Sequence, residues 1–146
     1  MKVIYLCSPY THEDKEVRQY RFEEMCRVHA DLLHLHGKTC AFIGPIAMTH
    51  SIAQYAKLPT TWDFWQIHDE AILSKCDELW VVMMDGWTES VGVTAEIAYA
   101  YDHNIPVIYV RNETKPIRFV GREKFDSSLE KVQTKHANNT QALGDE

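Results

Sequence analysis

Ser90-Val91-Gly92-Val93-Thr94-Ala95-Glu96, with the apolar run Glu78-Leu79-Trp80-Val81-Val82-Met83-Met84 in front of it, decides how this chain is read. The run is short, rich in β-favouring residues and stopped by Asp85-Gly86, so it predicts a buried strand ending in a turn. After Ser90 the period changes. Val93, Ile97, Ala98 and Tyr101 recur at helical spacing, and Ser90 is placed to cap the helix they define. Strand, polar loop and helix form the repeating unit of doubly wound α/β sheets, whose ligands sit in the loops at the carboxyl ends of the strands. Gly92 lets a ligand approach the backbone, and Glu96 lies one turn further on the same helix face. A carboxylate close to a helix N-terminus is favoured as the anion. Glu96 is therefore expected to be ionised, either as a nucleophile or base or as a capping acid that only stabilises the helix.

Towards the amino end, Trp62 to Cys76 predicts a helix with Trp65, Ile72 and Cys76 on one stripe. Asp69 shares that stripe, whereas His68 faces out. An inward carboxylate must be paired, solvated in a cleft or functional, which singles out Asp69. Leu58-Pro59-Thr60-Thr61 interrupts the pattern, and Ser51 to Lys57 predicts a short helix before it. With Met48 before it and Trp62 after it, this insertion brings Met, Tyr and Trp together, a composition suited to a base-stacking wall, a partner interface or core filling. Ahead of it, a strand from Thr39 to Ile43 runs into Gly44-Pro45-Ile46-Ala47-Met48-Thr49-His50, read as a turn with a polar tip. A long helix spans Glu13 to His36, with Val17, Met25, Val28, Leu32 and Leu35 as its apolar stripe and Gly37 at its end. Its His29, His34 and His36 have no acidic partner at ligand spacing and are expected to be solvated, not to hold a metal. Lys2 to Cys7 is the opening strand, closed by the turn Ser8-Pro9-Tyr10-Thr11-His12.

Beyond the central unit, Asn104 ends the helix and Ile105 to Val110 forms a fourth strand, with Pro106 at the start, where a strand tolerates it. A polar loop from Arg111 to Arg118 carries three cations, and Phe119 to Val132 has room for one more strand or helix. Residues 133–146 lack the apolar content for a core and are expected to be a disordered tail. The expectation is one α/β domain over residues 1–132: a doubly wound, flavodoxin/Rossmann-like parallel sheet of four or five strands flanked by helices. Its strand-end loops offer Ser8, Tyr10, His50, Asp85, Ser90 and Gly92 as candidate substrate-binding residues.

Composition narrows the function classes. In 146 residues, 45% are hydrophobic and 25% charged, as in an ordinary globular domain. No apolar run reaches membrane-spanning length, and the opening strand meets polar residues too soon for a signal peptide, so a cytoplasmic protein without a membrane partner is expected. Cys7, Cys26, Cys40 and Cys76 are scattered, which favours neither a zinc knuckle nor a disulfide framework. A net charge of −6 without a basic stripe disfavours nucleic acid and favours a small molecule.

With these residues in view, the stretch from Lys2 to Arg118 resembles the nucleoside 2-deoxyribosyltransferase superfamily, which includes nucleoside 5′-monophosphate N-glycosidases and small phage and bacterial relatives of unassigned function. Three anchors carry the resemblance: Ile4-Tyr5-Leu6-Cys7-Ser8 on the opening strand, Asp69 eight residues before Asp77, and Ser90-x-Gly92-x-x-x-Glu96 followed by Ile97-Ala98-Tyr99-Ala100. The resemblance implies cleavage of a base–sugar bond without a cofactor, with Glu96 as nucleophile, Tyr5 orienting it and Asp69 facing the base. It implies a serine at position 90 near a 5′-phosphate, where transferases carry an aspartate against the sugar, and Arg118 donated across the interface of a homodimer or higher homo-oligomer. N-glycosidase activity on a nucleoside 5′-monophosphate is therefore the leading expectation. Base exchange by a deoxyribosyltransferase and nucleotide binding without turnover are the alternatives. Ser8 to His12 and Met48 to Thr61 depart from the best-known members of that superfamily.

Overall fold

Continuous apolar runs such as Leu79-Trp80-Val81-Val82 belong to strands covered on both faces, and the protein builds its sheet from four of them. They are β1 (Lys2–Cys7), β2 (Cys40–Ile43), β3 (Glu78–Met83) and β4 (Val107–Arg111), all parallel, in the order β2-β1-β3-β4. A computed structural model describes residues 1–112 and the strand backbone at 118–120. The last segment, β5 (Arg118–Val120), pairs antiparallel with β4. A parallel fifth strand would need a crossover of roughly a dozen residues, and the stretch 112–117 is too short for one. The expected tail at 133–146 lies outside the described residues.

Four helices cover the sheet: α1 (Lys15–His36), α2 (Pro45–Ala56), α3 (Trp62–Leu73) and α4 (Val91–Asp102). Asp14 caps α1 by accepting from the Glu16 N–H, and Ser90 caps α4 by accepting from the Val93 N–H at 3.3 Å. Helix α2 starts at Pro45, not at Ser51. Proline fits the first helical position because its φ is preset and its missing N–H has no helical partner there. What the sequence suggested was a polar tip is thus helical, and His50 is a helix residue. Helix α3 stops at Leu73, leaving Cys76 buried just beyond it.

Strand periodicity sorts the core into two layers. Tyr5, Cys7, Leu79, Val81, Val107 and Tyr109 face Leu73 of α3 and Val93, Ile97 and Ala100 of α4. Ile4, Leu6, Trp80, Val82 and Val110 face Met25, Val28 and Leu32 of α1. Two residues assigned to inward stripes lie outside them: Leu35 is 59% exposed and Tyr101 36%. His29 and His36 are not simply solvated, since each packs edge-on against an aromatic ring, Phe42 and Trp80 respectively. Among the described residues no helix is long and apolar enough to cross a membrane.

The order β2-β1-β3 means that the chain leaves β1 in one direction and returns to its other side. The crevice at the carboxyl ends of β1 and β3 is therefore the switch point at which open α/β sheets bind ligands.

Candidate active site

A cavity of about 400 Å³ opens at that crevice. Ser8 and Tyr10 reach it from the loop after β1, and Glu89, Ser90 and Gly92 from the segment after β3; His50 comes from α2, Trp62, Trp65 and Asp69 from α3, and Glu96 from α4. The three sequence anchors therefore converge.

Glu96 is the most deeply buried carboxyl in the cavity wall. It is 6% exposed and accepts a hydrogen bond from the Tyr5 hydroxyl, which is fully buried behind it. Tyr5 and Cys7 point to the same side of β1, so the Cys7 thiol also reaches Glu96. Burial is the main reason the Glu96 carboxyl is pushed up to about 8; the Cys7 and Tyr5 hydrogen bonds oppose the rise, and the charges of Asp69 and Glu70 add to it. The expectation of an ionised glutamate is thereby corrected: at neutral pH the free protein holds Glu96 mainly protonated. Glu96 lies past the first turn of α4, where the helix dipole fades; even at its best the dipole supplies about 2 kcal/mol, against several for desolvating a carboxylate. Burial also raises the Tyr5 phenol well above its usual range, which keeps it a donor.

Asp69 is 9% exposed on α3, and burial raises its carboxyl as well. His68, half exposed, opposes that rise from Nδ1, 2.9 Å from Asp69 Oδ1. Two protonatable carboxyls on neighbouring helices thus face one cavity. Separate acid and nucleophile roles need this kind of arrangement.

The remaining walls combine aromatic faces with hydrogen-bonding groups. Trp62 lies over Gly92, where an added Cβ would stand 3.3 Å from the indole Cε3. Trp65 is pinned by its indole N–H donating to the Pro59 carbonyl at 2.8 Å. Ser8 Oγ is buried without a partner in the wall, a group that a bound ligand would satisfy. His50, 3% exposed, stacks on Phe22 at 4.0 Å between centroids. Its Nε2–H donates to Gln19 Oε1 at 3.2 Å, so Nδ1 accepts the Tyr10 hydroxyl proton at 2.7 Å and the Tyr10 oxygen is left as an acceptor. Burial lowers the His50 pKa, with the charge of Arg18 adding to the effect, which keeps the ring neutral.

Not every candidate reaches the cavity. Asp85 is exposed, because the loop after β3 folds Trp87 inward against Tyr109 and turns through Gly86 at φ +85°. The Asp85 carbonyl instead accepts from Arg21 at 3.4 Å. The side chain of Arg118 lies outside the described residues. Sequence reasoning missed Cys7 and Glu89 as wall residues. The two-residue period that links Cys7 to Tyr5, and the position of Glu89 beside Ser90, were the available signals. Among the described residues the walls hold Asp63, Asp69, Glu89 and Glu96 but no lysine or arginine.

No curated protein matches the sequence. The profile of the domain of unknown function DUF1937 matches residues 2–112, which contain the whole parallel sheet and every described wall of the cavity, so the chain belongs to the DUF1937 family.

Proposed function

We propose that this protein is an N-glycosidase that cleaves the base–sugar bond of a nucleoside 5′-monophosphate or related nucleotide, with Glu96 as nucleophile. The observation that carries the reading is the buried Tyr5–Glu96 pair facing the same cavity as a second raised carboxyl, Asp69. In this mechanism Glu96 yields its proton to the Asp69 carboxylate and attacks C1′ as the C1′–N bond breaks. Asp69 gives its proton to the departing base nitrogen. Asp69 then removes a proton from water, the water oxygen displaces Glu96 from C1′, and the free sugar leaves. Tyr5 holds the attacking carboxyl in place, Trp62 offers a stacking face to the base, and Ser8, Tyr10, His50, Ser90 and Gly92 shape the ligand site. No cofactor or metal enters the scheme.

The test is incubation with a panel of nucleotides and nucleosides, following free base by chromatography. Base release without exchange supports the hydrolase. Exchange with added free base makes the protein a deoxyribosyltransferase, and tight binding without either makes it a nucleotide-binding protein. Homo-oligomerisation, with Arg118 completing a neighbour's site, belongs to the same proposal. Tyr55, Phe64, Ile67 and Val91 are large apolar side chains exposed on α2, α3 and α4, consistent with a subunit contact. A monomer by sedimentation at assay concentration would remove that part and leave the Glu96 chemistry intact.

A further inference from the structure

The acidic lining of the cavity raises a question for any nucleotide reading: four carboxyls and no described cation leave a phosphate without a counter-charge inside it. A second, smaller cavity of about 200 Å³ adjoins the first and shares Tyr10, His50 and Thr60 with it. Lys15 and Arg18 line it from the first turns of α1, and Lys57 lines it from the end of α2. None of the three cations has an ion-pair partner among the described residues. Arg18 is held in place by Nη1 donating to the carbonyls of His12 and Glu13. These bonds fix the guanidinium without neutralising it. Its charge is felt by both Tyr10 and His50 in the shared wall.

The placement of the cations also runs against the helix. Positive side chains in the first turn of α1 face the positive end of its dipole, an unfavourable position by itself. Three unpaired cations around one concavity repel one another, in a chain whose acidic residues outnumber its basic ones by 21 to 15. Both costs vanish when an anion occupies the groove, and a phosphate offers several acceptor oxygens to such a cluster.

We infer that the groove lined by Lys15, Arg18 and Lys57 is the phosphate subsite of this protein, holding the phosphate of a ligand whose base and sugar lie in the larger cavity beyond the Tyr10–His50 wall. The nucleotide part of this inference rests on the reading of the larger cavity given above. The placement of phosphate in the groove does not, and it differs from the Ser90 location that the superfamily resemblance implies.

The test uses ribose 5-phosphate against ribose, together with inorganic phosphate, because none of these has a glycosidic base to cleave. Titrations are followed by backbone amide shifts of the whole protein. Ribose 5-phosphate and inorganic phosphate are expected to move the amides of Lys15 to Arg18 and Gln54 to Lys57, and ribose is not. The combined K15Q/R18Q/K57Q variant should lose roughly tenfold or more in phosphate affinity, the scale of removing charge-assisted hydrogen bonds. The K15Q/K57Q variant keeps the Arg18 anchor of the loop and should show a partial loss, so unfolding cannot pass for a positive result. Shifts centred on Ser90 to Val93, equal responses to ribose and ribose 5-phosphate, or affinity unchanged in both variants would overturn the inference. A groove that binds phosphate in a protein that releases no base would leave this inference standing while ending the glycosidase reading.

Discussion

Among the described residues two glutamates are buried, and the protein keeps them in opposite ways. Glu78, at the start of β3, accepts from the Trp80 indole N–H at 2.8 Å and pairs with Lys2. Glu96, on α4, is given a hydroxyl, a thiol and the charges of two further acids. A buried carboxyl supplied with a cation and an N–H has its oxygens partnered, and a fold can use it as a fastener. One surrounded by neutral donors and like charge is settled as an acid and will ionise only at a cost. Nothing in the packing of α4 requires a glutamate there, since Val93, Ile97 and Ala100 already seat the helix. Expensive burial without a structural need is what the role proposed for Glu96 accounts for.

The largest effect expected from this contrast is at Glu96. Glu96→Gln keeps the shape and the hydrogen bond from Tyr5, but removes the nucleophile, so base release should fall by about 10³-fold or more. Its melting temperature should stay level or rise, because a penalised ionisation has been removed. Wild-type kcat in this variant would end the assignment, and a large loss of stability would make Glu96 a structural residue. Next in size is Asp69→Asn, expected to cost about 10²-fold in rate, the scale of a positioned general acid. If its rate holds while its melting temperature drops, Asp69 is structural.

The same contrast predicts a pH dependence. Between about pH 4.5 and about 8 the native state keeps the Glu96 proton that the unfolded chain has released, so stability should decline as pH rises through that window. Activity should fall as well, because the scheme needs one proton on the Glu96–Asp69 pair, and kcat/KM should show a descending limb near pH 8, where the pair loses it. Because the Tyr5 hydrogen bond opposes the rise in the Glu96 pKa, Tyr5→Phe should push that limb to higher pH as well as slowing the reaction. Chemical denaturation and rate profiles across the pH range give both curves. A Tyr5→Phe limb that shifts downward contradicts the orientation assigned to Tyr5.

Much of this was legible in the sequence, for identifiable reasons. The strand, the Ser90 cap and the helix behind it follow from local patterns that tertiary structure had no cause to override, and Asp69 betrayed itself as a charge on an apolar stripe. Three things were not legible. The start of α2 was hidden because Gly-Pro reads equally as a turn or as a helix entry. The direction of Asp85 depended on Trp87 finding Tyr109 across the sheet, a contact no local pattern contains. The protonation of Glu96 was misjudged because sequence shows the helix terminus but not the depth of burial, and burial carries the greater energy.

The smallest expected effect completes the comparison at Glu78. Glu78→Gln leaves an amide oxygen that can still accept from the Trp80 N–H, so the substitution removes only the attraction to Lys2, whose side chain is 62% exposed. Exposed pairs contribute little, since water and salt screen them. The melting temperature should therefore fall by a few degrees at most, and the difference from wild type should shrink as salt is raised. Base release should not change, because Glu78 is absent from the cavity walls. Thermal melts at low and high salt, run beside the base-release assay, test all three statements. A loss of activity comparable to that of Glu96→Gln would mean that the two glutamates are not the fastener and the reagent described here.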